Sequence, residues 1–184
     1  MDRIEKLQSK KEIKIIACYD SSFAGWLEKH HCDALLVGDS LGIFVKGDIS
    51  TKGVILDDML YHTKAVKSGT KSILIISDMP RNTFNTKRIA LKNASKLVEA
   101  GADMVKIEGD IEIYPIIEHL AQHGIKVCGH IGFTPQTIDK PKKILSPKSI
   151  DKPKKKKKSS SKVLDKPKKK TSSKVLDKPK KILS

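Results

Sequence analysis

Aromatic side chains, cysteines and long apolar runs are all scarce in this chain. The eight aromatic residues all lie before residue 138, so residues 139–184 contain none. The apolar residues of that segment are isolated Ile, Val and Leu, too sparse to bury a core. The three cysteines, Cys18, Cys32 and Cys128, stand far apart with no Cys-x-x-Cys pair. That spacing argues against a disulfide framework and for reduced thiols in a cytoplasmic setting. No apolar stretch approaches the ~18 residues that span a bilayer. The start, Met1-Asp2-Arg3-Ile4-Glu5-Lys6, lacks the apolar core of a signal peptide. No membrane contact is expected.

Charge is distributed unevenly. Residues 1–138 carry 18 basic and 17 acidic side chains, whereas residues 139–184 carry 19 lysines against four aspartates. Nearly all of the net charge of +16 therefore resides in the tail. The tail also repeats. Ser160 to Lys169 recurs word for word at Ser172 to Lys181, and Asp-Lys-Pro-Lys-Lys starts at Asp139, Asp151, Asp165 and Asp177. A proline in every unit and mutually repelling lysines predict disorder. Two domains follow: a globular head over 1–138 and a disordered Lys-rich tail over 139–184. Clustered lysines release counterions from nucleic acid, so the alternative function is non-specific polyanion binding. Deleting residues 139–184 should then abolish retention on nucleic acid at about 0.1 M salt; unchanged retention would rule the tail out.

What the head does contain is a series of apolar runs that end in polar residues. Leu35-Leu36-Val37-Gly38-Asp39, Ile73-Leu74-Ile75-Ile76-Ser77-Asp78 and Met104-Val105-Lys106-Ile107-Glu108 end in acids, and Ile125-Lys126-Val127-Cys128-Gly129-His130 ends in histidine. Continuous apolar runs suit strands buried on both faces of a parallel sheet. Ile13 to Tyr19 adds a fifth strand. Between them the spacing predicts four helices: one capped by Asp20, Ser21 or Ser22, one from Leu56 to Gly69, one from Thr86 to Ala100 and one from Ile111 to His123. Ser40 to Ile55 reads as irregular. Strand ends 39, 30 and 22 residues apart, without reversal, indicate βαβ units. A doubly wound sheet and a (βα)8 barrel both begin this way. No Gly-x-Gly-x-x-Gly follows the first strand, and functional residues at successive strand ends favour the barrel.

Pooled on one rim, Asp39, Asp78 and Glu108 would offer hard oxygens to Mg²⁺, which could hold a 2-keto acid. An Asp at a β-to-α junction also caps the next helix, so each acid taken singly has a plainer role. Lys106 shares a strand face with Glu108 and needs an anionic partner if it points inward. His130 either hydrogen-bonds a substrate or is a satisfied polar residue at the mouth. His119 and His123 have a metal-compatible spacing but lack a third ligand. Tyr61 and His62 read as surface and flank.

Several of these segments together resemble one family. They are Tyr19-Asp20-Ser21-Ser22-Phe23-Ala24, Leu36-Val37-Gly38-Asp39-Ser40-Leu41-Gly42, Leu56-Asp57-Asp58-Met59-Leu60-Tyr61-His62-Thr63, Ser77-Asp78-Met79-Pro80, Ala100-Gly101-Ala102-Asp103-Met104-Val105-Lys106-Ile107-Glu108-Gly109 and Gly129-His130-Ile131-Gly132-Phe133-Thr134-Pro135-Gln136. In order and spacing they are similar to the ketopantoate hydroxymethyltransferases, over roughly residues 5–138. The resemblance implies a (βα)8 barrel in a homo-oligomer, typically a decamer. It implies transfer of a hydroxymethyl group from 5,10-methylenetetrahydrofolate to 3-methyl-2-oxobutanoate, giving 2-dehydropantoate for pantothenate biosynthesis. It further implies Mg²⁺ at Asp39, Asp78 and Glu108, and contacts to the keto acid from Asp39, Ser40, Asp78 and Lys106. Asn82 and Phe84 replace a Gly and a Tyr usual in the family. The family's proton-abstracting glutamate falls beyond the similar stretch, so no residue here is assigned as catalytic. The expectation is a truncated barrel of five strands and four helices, with low or no activity alone.

Overall fold

Each apolar run becomes a strand, and each strand lies beside the next one in sequence. In the computed structural model, which describes residues 3–131 and 134–136, the strands are β1 (Ile15–Ala17), β2 (Ala34–Val37), β3 (Leu74–Asp78), β4 (Met104–Glu108) and β5 (Val127–His130). All pairings are parallel and the order is β1-β2-β3-β4-β5. Successive strands added on one side, each after a helix, are the opening units of a (βα)8 barrel. The lysine-rich tail, with its expected disorder and polyanion contacts, lies outside the described residues.

The described residues also form six α-helices, α1 (Arg3–Gln8) before the first strand and α2 (Ser21–Lys29), α3 (Leu41–Phe44), α4 (Leu56–Ser68), α5 (Lys87–Glu99) and α6 (Tyr114–Gln122) between strands. The four expected helices are α2, α4, α5 and α6; α1 and α3 were not expected. α1 is too short to show an apolar period, yet Ile4 and Leu7 pack against the sheet. α3 falls in the stretch expected to be irregular, and a single turn with Leu41 buried is below what periodicity can reveal. Asp20 caps α2 by accepting the Phe23 N–H at 2.8 Å, and Thr86 caps α5 through the Ile89 N–H.

The glycines that follow α4, α5 and α6 divide into two kinds. Gly101 and Gly124, after α5 and α6, have φ of 114° and 75°, the left-handed region open to glycine. Gly69, after α4, has φ −87°. What excludes a side chain there is proximity, since a Cβ would stand 2.0 Å from the Ser21 carbonyl oxygen. The same corner is tied by Glu28 of α2, which accepts the main-chain N–H groups of Lys71, Ser72 and Ile73. Partial burial pushes that carboxyl up, but the three donors outweigh it and hold it at about 2.

Side-chain alternation gives the sheet two unlike faces. Leu35, Val37, Ile75, Val105 and Ile107 face the helices and join Leu27, Met59, Val66, Ala90, Leu97 and Leu120 in the main core. The opposite face holds a smaller cluster of Ala34, Leu74 and Ile76, flanked by Leu36, Met104, Cys128 and α1. At the sheet's β1 edge, Ile15 and Ile16 are 45% and 40% exposed. No described helix is long and apolar enough to cross a membrane.

Candidate functional site

The second, smaller face turns polar at the carboxyl ends of the strands, as side-chain parity requires. Leu74 and Ile76 lead to Asp78 on β3; Met104 leads to Lys106 and Glu108 on β4; Cys128 leads to His130 on β5. Register sets the partners. Asp78 lies opposite Lys106, and Glu108 lies opposite His130. The Lys106 ammonium is accordingly 2.8 Å from Asp78 Oδ1, and His130 Nδ1 is 3.1 Å from Glu108 Oε2. Lys106 thus points inward to an anion rather than outward past a helix.

Asp39 follows β2 and joins from the side. Its N–H donates to Asp78 Oδ2 at 3.0 Å, so the β2 end and the β3 end are laced together. Gly38 leaves room for the Ser40 side chain: a Cβ there would meet Ser40 Oγ at 2.7 Å. Ser40 begins α3 and its hydroxyl is 2.8 Å from the Tyr19 hydroxyl. The Tyr19 carbonyl is held at 2.7 Å by His62 Nδ1 from α4. His62 is therefore not a flank residue as expected but a brace between α4 and the end of β1, while Tyr61 is exposed as expected.

All three acids are buried: Asp39 is 9% exposed, Asp78 2% and Glu108 4%. Burial pushes the Asp78 carboxyl up to about 6, against the pull of the Lys106 ammonium and with Asp39 adding to the rise. Burial likewise raises the Cys128 thiol on the same face. Even so, among the described residues no three His, Cys, Asp or Glu side chains are grouped to share one ion. Protein donors engage the carboxylates instead. Gln136, 4% exposed, inserts from beyond β5. Its Nε2 donates to Asp39 Oδ2 at 2.7 Å and to the Met79 carbonyl at 3.2 Å, and its main-chain N–H donates to Glu108 Oε1 at 2.6 Å.

The structure thus brings Asp39, Asp78, Lys106, Glu108 and His130 to one rim, as their places at and near strand ends predict, and Ser40, named only through the resemblance, follows Asp39 there. It adds Tyr19 and Gln136, neither of which was singled out, and His62, which was read only as a flank residue. All three lie within the segments that carry the family resemblance, but no charge or periodicity marks them. His119 and His123 lie side by side at the end of α6, with ring centroids 4.4 Å apart and the rings tilted at 55°.

Beside the rim lies a cavity of about 490 Å³, reached by Glu108 and Gln136 and otherwise lined by Arg81, Asn82, Phe84 and Ile113 among others. Asn82 has φ 67°, a left-handed conformation that asparagine tolerates better than most side chains. Phe84 is half-buried against the main core.

A family model described as ketopantoate hydroxymethyltransferase matches residues 1–156. The chain is 46% identical to the 3-methyl-2-oxobutanoate hydroxymethyltransferase of Nitrosospira multiformis, over 76% of this chain and 54% of the relative. It is 47% identical to the enzyme of that name from Wigglesworthia glossinidia brevipalpis, over 73% of this chain and 50% of the relative. The chain spans about half the length of the curated relatives it matches. Among solved structures, 2,3-dimethylmalate lyase, of the PEP mutase/isocitrate lyase superfamily, superposes with a TM-score of 0.54 at 16% identity, over 68% of this chain and 50% of that one. At that identity the likeness concerns the fold alone.

Proposed function

The chain belongs to the ketopantoate hydroxymethyltransferase family, and from that premise we propose that its strand-end cluster binds a divalent cation, Mg²⁺, together with 3-methyl-2-oxobutanoate. The one-carbon donor on this reading is 5,10-methylenetetrahydrofolate, and the product is 2-dehydropantoate. The observation that supports it best is the charge imbalance of the rim. Three buried carboxylates, Asp39, Asp78 and Glu108, share the rim with one ammonium, that of Lys106, and the imidazole of His130. Carboxylate oxygens at this density are the donor type a hard divalent cation takes.

Asp39, Asp78 and Glu108 would hold the cation. Bound there, it would supply positive charge to the keto and carboxylate oxygens of the acid. Lys106 would lie against the acid's carboxylate while still paired with Asp78, and Ser40, oriented by Tyr19, would donate to it. The neighbouring cavity would take the pterin of the donor, with Phe84 offering a ring face and Arg81 a cation for the anionic tail.

Calorimetry on the folded full chain should show Mg²⁺ uptake that strengthens when 3-methyl-2-oxobutanoate is present. Exchange of the acid's C3 proton in D₂O should stay at the buffer rate, since Asp39, Asp78 and Glu108 are each engaged by donors and none is free to act as a base. Absence of Mg²⁺ uptake with and without the acid would refute the binding reading. Exchange well above the buffer rate would refute the assignment of binding without proton abstraction.

A further inference from the structure

Gln136 occupies the position in the rim where a cation would do most. Its carboxamide donates to Asp39 and its main-chain N–H to Glu108, so one residue bridges acids from two different strand ends. The other end of the same carboxamide gains nothing: Oε1 is buried and accepts no hydrogen bond. A buried oxygen left unpaired is unfavourable, so the placement of this side chain is maintained by what its N–H groups do for the carboxylates. Partial positive charge from an amide is a weak substitute for a divalent ion, and it occupies Asp39 Oδ2 that the ion would use.

We propose that Gln136 is an internal plug of the acidic rim, a stand-in for the cation that must release Asp39 before a divalent ion can be bound there. The inference rests on the reading of this rim as a cation site. Its consequence is a sign that a ligand or a positioning residue would not give. Removing the Gln136 donor destabilises the empty rim, leaving Asp39 buried and unpaired, and frees one carboxylate oxygen. Both effects strengthen cation uptake. Were Gln136 a ligand, or needed to orient Asp39 for the ion, its removal would weaken uptake.

The test is Mn²⁺ binding to the full chain, followed by electron paramagnetic resonance of the free ion, in the natural protein and in Gln136→Ala and Gln136→Met. The methionine variant keeps the length and burial of the side chain without its donor. Both variants should bind Mn²⁺ at least tenfold more tightly. Equal or weaker binding in folded variants, with uptake intact in the natural protein, overturns the plug and leaves the cation reading standing. No uptake in any of the three overturns both. Thermal melting provides a second readout that tolerates a marginal fold: Mn²⁺ should raise the midpoint of Gln136→Met by more than it raises that of the natural protein, and a smaller rise overturns the plug.

Discussion

Replacing Lys106 by methionine is expected to cost about 3 kcal/mol of stability at pH 8, the low end for removing one partner of a buried ion pair. The low end applies because Lys106 keeps 18% of its side chain exposed, whereas its partner Asp78 keeps 3%. Methionine retains the length of the stem, so packing is largely conserved and the loss reports the charge. The loss should depend on pH in a defined direction. Asp78 sits at about 6 in the folded chain, above its ordinary value of 3.8. Between those values the folded state holds more protons than the unfolded one, so this group's contribution to stability declines as pH rises through about 6. Without Lys106 the carboxyl rises further and stays protonated to higher pH. The gap between the two proteins should therefore be small at pH 5 and widen above pH 6. Urea unfolding at pH 5 and pH 8 measures it. A gap of equal size at both would mean that Asp78 is not the group left uncompensated.

Truncating Ile75 to alanine should be the most damaging single change in the core, at about 4 kcal/mol, while Ile76→Ala should cost about 2 kcal/mol. The two residues are adjacent on the central strand and both are buried, at 0% and 4% exposure. They differ in what surrounds them. Ile75 points into the main core against the helix layer, where residues such as Leu35, Met59, Val105 and Leu97 are fixed on all sides. Ile76 points to the small cluster, where Met104 and the short helix α1 can shift into the space. Cavity cost follows how well a site can collapse, which separates the two. Chemical denaturation of the pair gives the comparison directly. Equal losses would show that the inner face is sealed as firmly as the outer.

Much of this architecture could be read in advance because parallel sheets leave a strong mark. β2 and β3 are apolar on both faces until their acidic ends, and a run such as Leu74-Ile75-Ile76 suits a doubly covered strand. The acids at their ends were visible for the same reason, as charge that interrupts a buried run. What remained hidden was local or relational. α1 has six residues and α3 four, too few for a period to show. Gly69 ends a helix as Gly101 does, yet it is a close-contact glycine, a difference set by where Ser21 falls in space. Gln136 carries no charge and lies 97 residues from Asp39. Its role comes from a meeting of two strand ends that no single-chain pattern encodes. The lysine in β4 was ambiguous for the opposite reason, since both an outward and an inward placement fit the sequence until the register opposite Asp78 was known.

The register also makes the polar rim a proofreading device for the chain's own folding. Asp78 meets Lys106, and Glu108 meets His130, only when neighbouring strands align on one particular rung. Sliding β4 by a single residue would turn Lys106 and Glu108 together into the oily layer beneath the helices and leave both, with Asp78 and His130, without their partners. An assembly error there cannot be half tolerated, so the groups suited to chemistry are also the ones that reject a misaligned sheet.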